Sequence, residues 1–134
     1  MSKKKIEQQV YRYAGDLLHE KGYISVVDLL MKMERLTDKQ VNDWRLKRIP
    51  YLERVMIGNL AKMNYVLITL KKFAGEKNLK PSHTVYKSWG KGPKRVLRFS
   101  KNGKSYVEEM YSTHYLQRNV TKKGGRDYGS SGKT

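Results

Sequence analysis

The stretch YLERVMIGNLAKMNYVLITLKKFAG, residues 51–75, decides the fold class. Its apolar positions are Leu52, Val55, Met56, Leu60, Met63, Val66, Leu67, Leu70 and Phe73. They recur mostly three or four residues apart, the period of one helix face. The stripe predicts a central helix of about six turns, roughly 37 Å long at ~1.5 Å per residue. Gly58 inside it marks a bend or a close helix contact.

Working outward, residues 6–21 carry Ile6, Val10, Ala14, Leu17 and Leu18 on one helical face, and Gly22 is a natural C-terminal cap. Ser25-Val26-Val27-Asp28 and Thr37-Asp38-Lys39-Gln40 are capping-box patterns that open short helices over 26–34 and 38–47. Beyond Pro81 the pattern changes. Thr84-Val85-Tyr86-Lys87-Ser88-Trp89 and Val96-Leu97-Arg98-Phe99 read as two strands around the turn Gly90-Lys91-Gly92-Pro93-Lys94. Alternation puts Val85, Lys87 and Trp89 on one face and Tyr86 and Ser88 on the other. Ser105-Tyr106-Val107-Glu108 is a third capping box and predicts a helix over 106–116, with Glu108 and Glu109 complementing its dipole. The expected architecture is mainly α: a helical bundle in a single domain, 1–117, with a β-hairpin at 84–99. A flexible basic tail, 118–134, follows.

The chain has 134 residues, no cysteine, and 29 Lys+Arg against 12 Asp+Glu, a formal net charge of +17. One domain of that size excludes the large nucleotide-dependent enzyme folds. The absence of cysteine removes disulfide scaffolds, thiolate-bound zinc and thiol nucleophiles. No apolar run follows the basic Met1–Lys5 segment, and the longest apolar stretches are far short of a membrane span. A cytoplasmic protein without a secretory leader or membrane partner is therefore expected. The charge excess is concentrated. Residues 80–105 hold Lys80, Lys87, Lys91, Lys94, Arg95, Arg98, Lys101 and Lys104 and not one acidic residue. Such a segment calls for a polyanion.

Nucleic acid is the polyanion that best fits the pattern. Cations along two strands and their loop neutralise successive phosphates and release counterions. Trp89 among them offers a ring on which an exposed base can stack. The helix pair 26–34 and 38–47 resembles a helix-turn-helix, with Lys39, Gln40, Asn42, Arg45, Lys47 and Arg48 on the second helix or just past it. A basic hairpin after helices also resembles a winged helix, although a long helix intervenes here. The expected phosphate contacts are Lys87, Lys91, Lys94, Arg95, Arg98, Lys101 and Lys104, with Lys39, Arg45, Lys47 and Arg48 as a second surface.

Other chemistry is thinner. His83 and His114 invite a metal-independent ribonuclease reading, but no spacing forces them together. No carboxylate pattern suits a metal, so no metal or cofactor is expected. Gly129-Ser130-Ser131-Gly132-Lys133-Thr134 ends like a phosphate-binding loop, yet Asp127 stands where the pattern needs glycine and no helix can follow.

Two runs carry a resemblance: Trp44-Arg45-Leu46-Lys47-Arg48-Ile49-Pro50-Tyr51-Leu52-Glu53-Arg54-Val55, and Trp89-Gly90-Lys91-Gly92-Pro93-Lys94-Arg95-Val96-Leu97-Arg98-Phe99-Ser100-Lys101. Together they resemble a family of small, basic bacterial proteins whose activity is not established, over residues 20–116. The resemblance implies a bacterial, intracellular protein and transfers no site residue. The expected function is non-catalytic nucleic-acid binding, DNA before RNA. The alternatives are an RNA- or ribosome-associated protein, a ribonuclease or toxin, and a protein-interaction module served by the ten tyrosines.

Overall fold

A computed structural model describes residues 3–118. The expected tail, from residue 119 on, and its phosphate-loop look-alike lie outside the described residues. The chain is mainly helical, with a small three-stranded antiparallel sheet.

Helix α1, Lys3–Lys21, buries Ile6, Val10, Ala14 and Leu17 along one face. It stops at Gly22, which takes φ 79°. Helix α2, Val26–Lys32, is capped by Ser25, whose hydroxyl accepts from the Asp28 N–H at 3.0 Å. Only half of the expected box forms, because the Asp28 carboxylate pairs with Lys21 at 3.0 Å instead. Helix α3, Asp38–Arg45, opens with the full Thr37–Gln40 box. The turn between α2 and α3 holds Glu34 at φ 62°, the left-handed conformation that glycine usually supplies. The Arg35 N–H reaches Leu30 O at 2.8 Å and the Glu34 N–H reaches Met31 O at 3.0 Å, which closes α2 with a Schellman motif.

The long helix begins later than its apolar stripe implies. Leu52–Arg54 form a single 3₁₀ turn, and helix α4 runs Leu60–Glu76. Its length is about 25 Å at ~1.5 Å per residue, rather than roughly 37 Å. Arg35 causes the break. Its Nη1 donates to Ile57 O at 2.8 Å, and its own carbonyl accepts the Ile57 N–H at 3.1 Å. Gly58 follows at φ 119°, where an added Cβ would strike the Arg35 guanidinium. Asn59 then caps α4, accepting from the Lys62 N–H at 2.8 Å. The stripe survives in part: Leu52, Met63, Val66, Leu67, Leu70 and Phe73 are buried, Val55 and Met56 are partly buried, and Leu60, at the start of α4, is exposed.

Helix α5 spans Ser105–Ser112, four residues shorter at its C-terminal end than expected. Thr113–Leu116 instead form the central strand, β3, between β1, Tyr23–Ile24, and β2, Lys80–His83. Both pairings are antiparallel, with Ile24 opposite Tyr115 and Ser82 opposite His114. Thr113, His114 and Tyr115 suit a strand once two partners are available, and tertiary pairing outweighs the local helical pattern. The third capping box is also absent. Lys104 is the N-cap and makes no side-chain bond to the helix.

The 84–99 hairpin exists in reduced form. Its one bridge is Lys87 with Val96, framed by Ser88 N–H to Arg95 O and Leu97 N–H to Tyr86 O, both 2.8 Å. Beyond that bridge its second arm bonds elsewhere: Leu52 N–H donates to Arg98 O and Glu53 N–H to Phe99 O. The expected alternation holds, with Tyr86 and Ser88 buried and Val85, Lys87 and Trp89 exposed.

Candidate nucleic-acid interface

The irregular segment 84–104 is placed by polar anchors reaching it from other elements. Glu108 on α5 accepts from Phe99 N at 2.8 Å, Ser100 N at 2.7 Å and Ser100 Oγ at 2.5 Å. Glu53 accepts from Lys101 N at 2.9 Å and from the Tyr111 hydroxyl at 2.7 Å. Burial and that carboxylate push the Tyr111 hydroxyl well above the ordinary tyrosine range. Trp44, fully buried on α3, donates its indole N–H to Arg98 O at 2.8 Å. Its ring packs on Phe99 at 4.9 Å and on Tyr86 at 5.5 Å between centroids. Trp44 is thus the core tryptophan and Trp89 the surface one.

Arg45 locks the segment to the end of α3. Its Nη1 donates to Lys87 O at 2.8 Å, and its carbonyl accepts the Trp89 N–H at 2.7 Å. The guanidinium lies 4.7 Å from the Tyr86 ring centre and 5.1 Å from that of Trp89. Partial burial between these rings lowers its affinity for the proton, though arginine keeps its charge. Arg45 is therefore a staple rather than a free phosphate contact.

The remaining predicted contacts fall into two groups. Lys39 and Arg48 both pair with Asp43, at 3.0 and 3.1 Å, and hold its carboxyl below the usual range. Arg98 turns back to Ser100 O at 2.9 Å and to Lys101 O, and Lys94 reaches Gly90 O at 2.8 Å. Gln40, on the second helix of the expected helix-turn-helix, is occupied by its capping box. Lys87, Lys91, Arg95, Lys101 and Lys104 stay exposed and pair with no described carboxylate. Lys47 is exposed just past α3 at φ 64°. The structure thus brings α3 and the loop together at the C-terminal end of that helix, whereas a helix-turn-helix reads bases with the N-terminal end.

The two histidines take opposite faces of the sheet. His114 donates to or accepts from the Tyr86 hydroxyl at 2.8 Å and stacks on Tyr23 at 5.5 Å. Burial holds it below the ordinary imidazole range, and burial pushes Tyr86 up to about 12. His83 is one register position away from the residue opposite His114, so its side chain takes the other face of the sheet, near Ser112 Oγ at 3.4 Å.

Among the described residues eight large apolar side chains are exposed, in two groups. Leu46, Val85, Trp89 and Val96 lie on the loop and the end of α3, among the cations. Leu60, Ile68 and Tyr106 line a groove of about 590 Å³ between α4 and α5, and Ile57 lies in the turn before α4. That groove is mostly apolar, with Lys101 its one cation, which leaves the loop face as the stronger phosphate surface.

Sequence reasoning missed the anchors. Glu108 reads as a helix-dipole residue, and no spacing ties Glu53 or Arg45 to a loop more than 40 residues away. Comparison with known proteins finds no family model, curated protein or solved structure that matches this chain. Among the described residues no helix is long and apolar enough to cross a membrane.

Proposed function

We propose that the protein binds nucleic acid without catalysing a change in it. One observation carries the reading: Lys87, Lys91, Arg95, Lys101 and Lys104 stand exposed, paired with no carboxylate among the described residues, on an acid-free segment that distant side chains hold in one shape. Holding five cations together costs self-repulsion and conformational freedom, and a polyanion relieves the first. The two exposed partners of Asp43 and the exposed Lys47 extend the same charge toward α3.

The non-catalytic half of the proposal rests on the histidines. His114 is committed to Tyr86 and Tyr23, and His83 faces away from it. Base reading by α3 is reduced, because Gln40 and Arg45 are both engaged within the protein. Phosphate contact, blind to sequence, therefore supplies the affinity. DNA is the first polymer to test, since phosphate contact does not depend on base reading by α3. RNA is the second reading, favoured by the exposed ring of Trp89.

Salt titration tests the proposal. With about six phosphates neutralised, log K on duplex DNA falls against log [salt] with a slope near −5. The triple substitution Lys91→Glu, Lys94→Glu, Arg95→Glu is expected to flatten that slope by about 3 units. Unchanged binding by the triple variant would remove the loop from the interface.

A further inference from the structure

We infer that Trp89 is a stacking platform, and that the loop accepts a nucleic acid with unpaired bases: a single-stranded segment of DNA or RNA. The inference rests on the nucleic-acid reading above and narrows its ligand.

Two tryptophans divide the labour. Trp44 is fully buried, whereas Trp89 is 48% exposed. A half-exposed indole leaves apolar surface in water, and this one is not loosely held. Its backbone N–H is fixed to Arg45 O, and its ring sits over the Arg45 guanidinium. Arg45 is itself backed by the buried Tyr86 ring and tied to Lys87 O. Tyr86, Arg45 and Trp89 follow one another from the core to the surface, the guanidinium 4.7 and 5.1 Å from the two ring centres, and the series ends on an indole. No described aromatic ring covers that last member. A base is the planar group that continues such a series, and a preorganised ring loses little freedom on receiving it.

The neighbours fit the rest of a nucleotide. Lys87 and Val85 share the strand face of Trp89, two and four residues before it, about 6.6 Å per two residues. Lys91 and Arg95 are exposed in the loop that follows Trp89. Cations beside a ring meet the phosphates on either side of the stacked base. A duplex presents base edges in its grooves and keeps the faces stacked on one another. A ring offering its face thus selects bases that have left that stack.

Intrinsic fluorescence gives a direct readout, since Trp89 is the one solvent-facing tryptophan. The experiment uses the full chain with single-stranded oligothymidylate of about a dozen nucleotides, within known site sizes, and a duplex of equal length. Oligothymidylate is expected to quench the emission. Trp89→Ala is expected to weaken single-strand binding by about five- to a hundredfold and duplex binding by less than about twofold. Trp89→Phe should restore part of the loss. Circular dichroism of both variants should match the parent, because the removed ring lies at the surface. Equal losses on both polymers, or an unchanged single-strand affinity in Trp89→Ala, would overturn the inference and leave phosphate binding intact. An unaltered parent protein that binds neither polymer would overturn the nucleic-acid reading as well.

Discussion

The α1–α4 pair and the 84–104 segment are held in place by different physics. The helix pair meets through apolar faces, Ile6, Val10, Ala14 and Leu17 from one side and Met63, Val66, Leu70 and Phe73 from the other. Its polar links, Tyr11 to Glu76 at 2.7 Å and Tyr65 to Glu7, lie at the margin. The loop has one bridge and is held by Glu108, Glu53, Trp44 and Arg45. Regular structure satisfies its backbone locally, so burial alone has to hold it. An irregular segment has no ladder to satisfy its buried backbone groups, and side chains from other elements supply the partners. The candidate interface lies on the second kind of region, where shape depends on a few carboxylates.

The largest effect should come from the helix pair. Leu70→Ala removes a fully buried side chain and is expected to cost about 2–5 kcal/mol in denaturant unfolding, with nucleic-acid affinity unchanged while the chain stays folded. Weakened affinity in the folded variant would show that the two regions are not independent.

A smaller and more local effect should come from Glu108→Gln. Glutamine keeps the shape but offers one carbonyl oxygen where the carboxylate receives three bonds, from Phe99 N, Ser100 N and Ser100 Oγ. Bonds to a charged acceptor contribute roughly 1.5–3 kcal/mol, and a loss of that order is expected. Amide exchange locates it: Phe99 and Ser100 should lose protection while Val66 and Leu70 keep theirs. A loss shared evenly by all four would mean that Glu108 supports the whole fold rather than the loop.

The same contrast explains what the sequence made legible. The Thr37–Gln40 box, the Val85-Lys87-Trp89 face and the part of the 51–75 stripe from Met63 to Phe73 are local patterns, and all three are found in the structure. The break at Gly58 is written in Asn59, a capping residue, but needs Arg35 from another segment to enforce it. Thr113–Leu116 continue a helical pattern and become a strand because β1 and β2 lie on either side. Among the cations, sequence shows where charge lies but not which charges are spent. Arg45 and Arg98 look like Lys91 and Arg95 until their partners are seen, and Lys39 and Arg48 share one carboxylate between them. The acid-free segment is legible as a site, whereas the anchors that shape it are not.

The smallest effect lies at the end of α3, which holds the loop through Arg45, and has the opposite sign. Helix α3 ends in a Schellman motif, with Lys47 N–H to Trp44 O at 3.0 Å and Arg48 N–H to Asp43 O at 2.8 Å. Its left-handed position is Lys47, at φ 64°, and glycine is absent although the geometry favours it. A side chain there costs roughly 1–2 kcal/mol of local strain, of which the greater freedom of unfolded glycine cancels a part. Lys47→Gly is therefore expected to raise stability by about 1 kcal/mol while removing one exposed cation. If that cation touches a phosphate, the salt slope should shrink by about 0.9 as stability rises. A variant that is more stable and binds less tightly would show that lysine is kept at this turn for its charge. An unchanged slope would confine the interface to the loop.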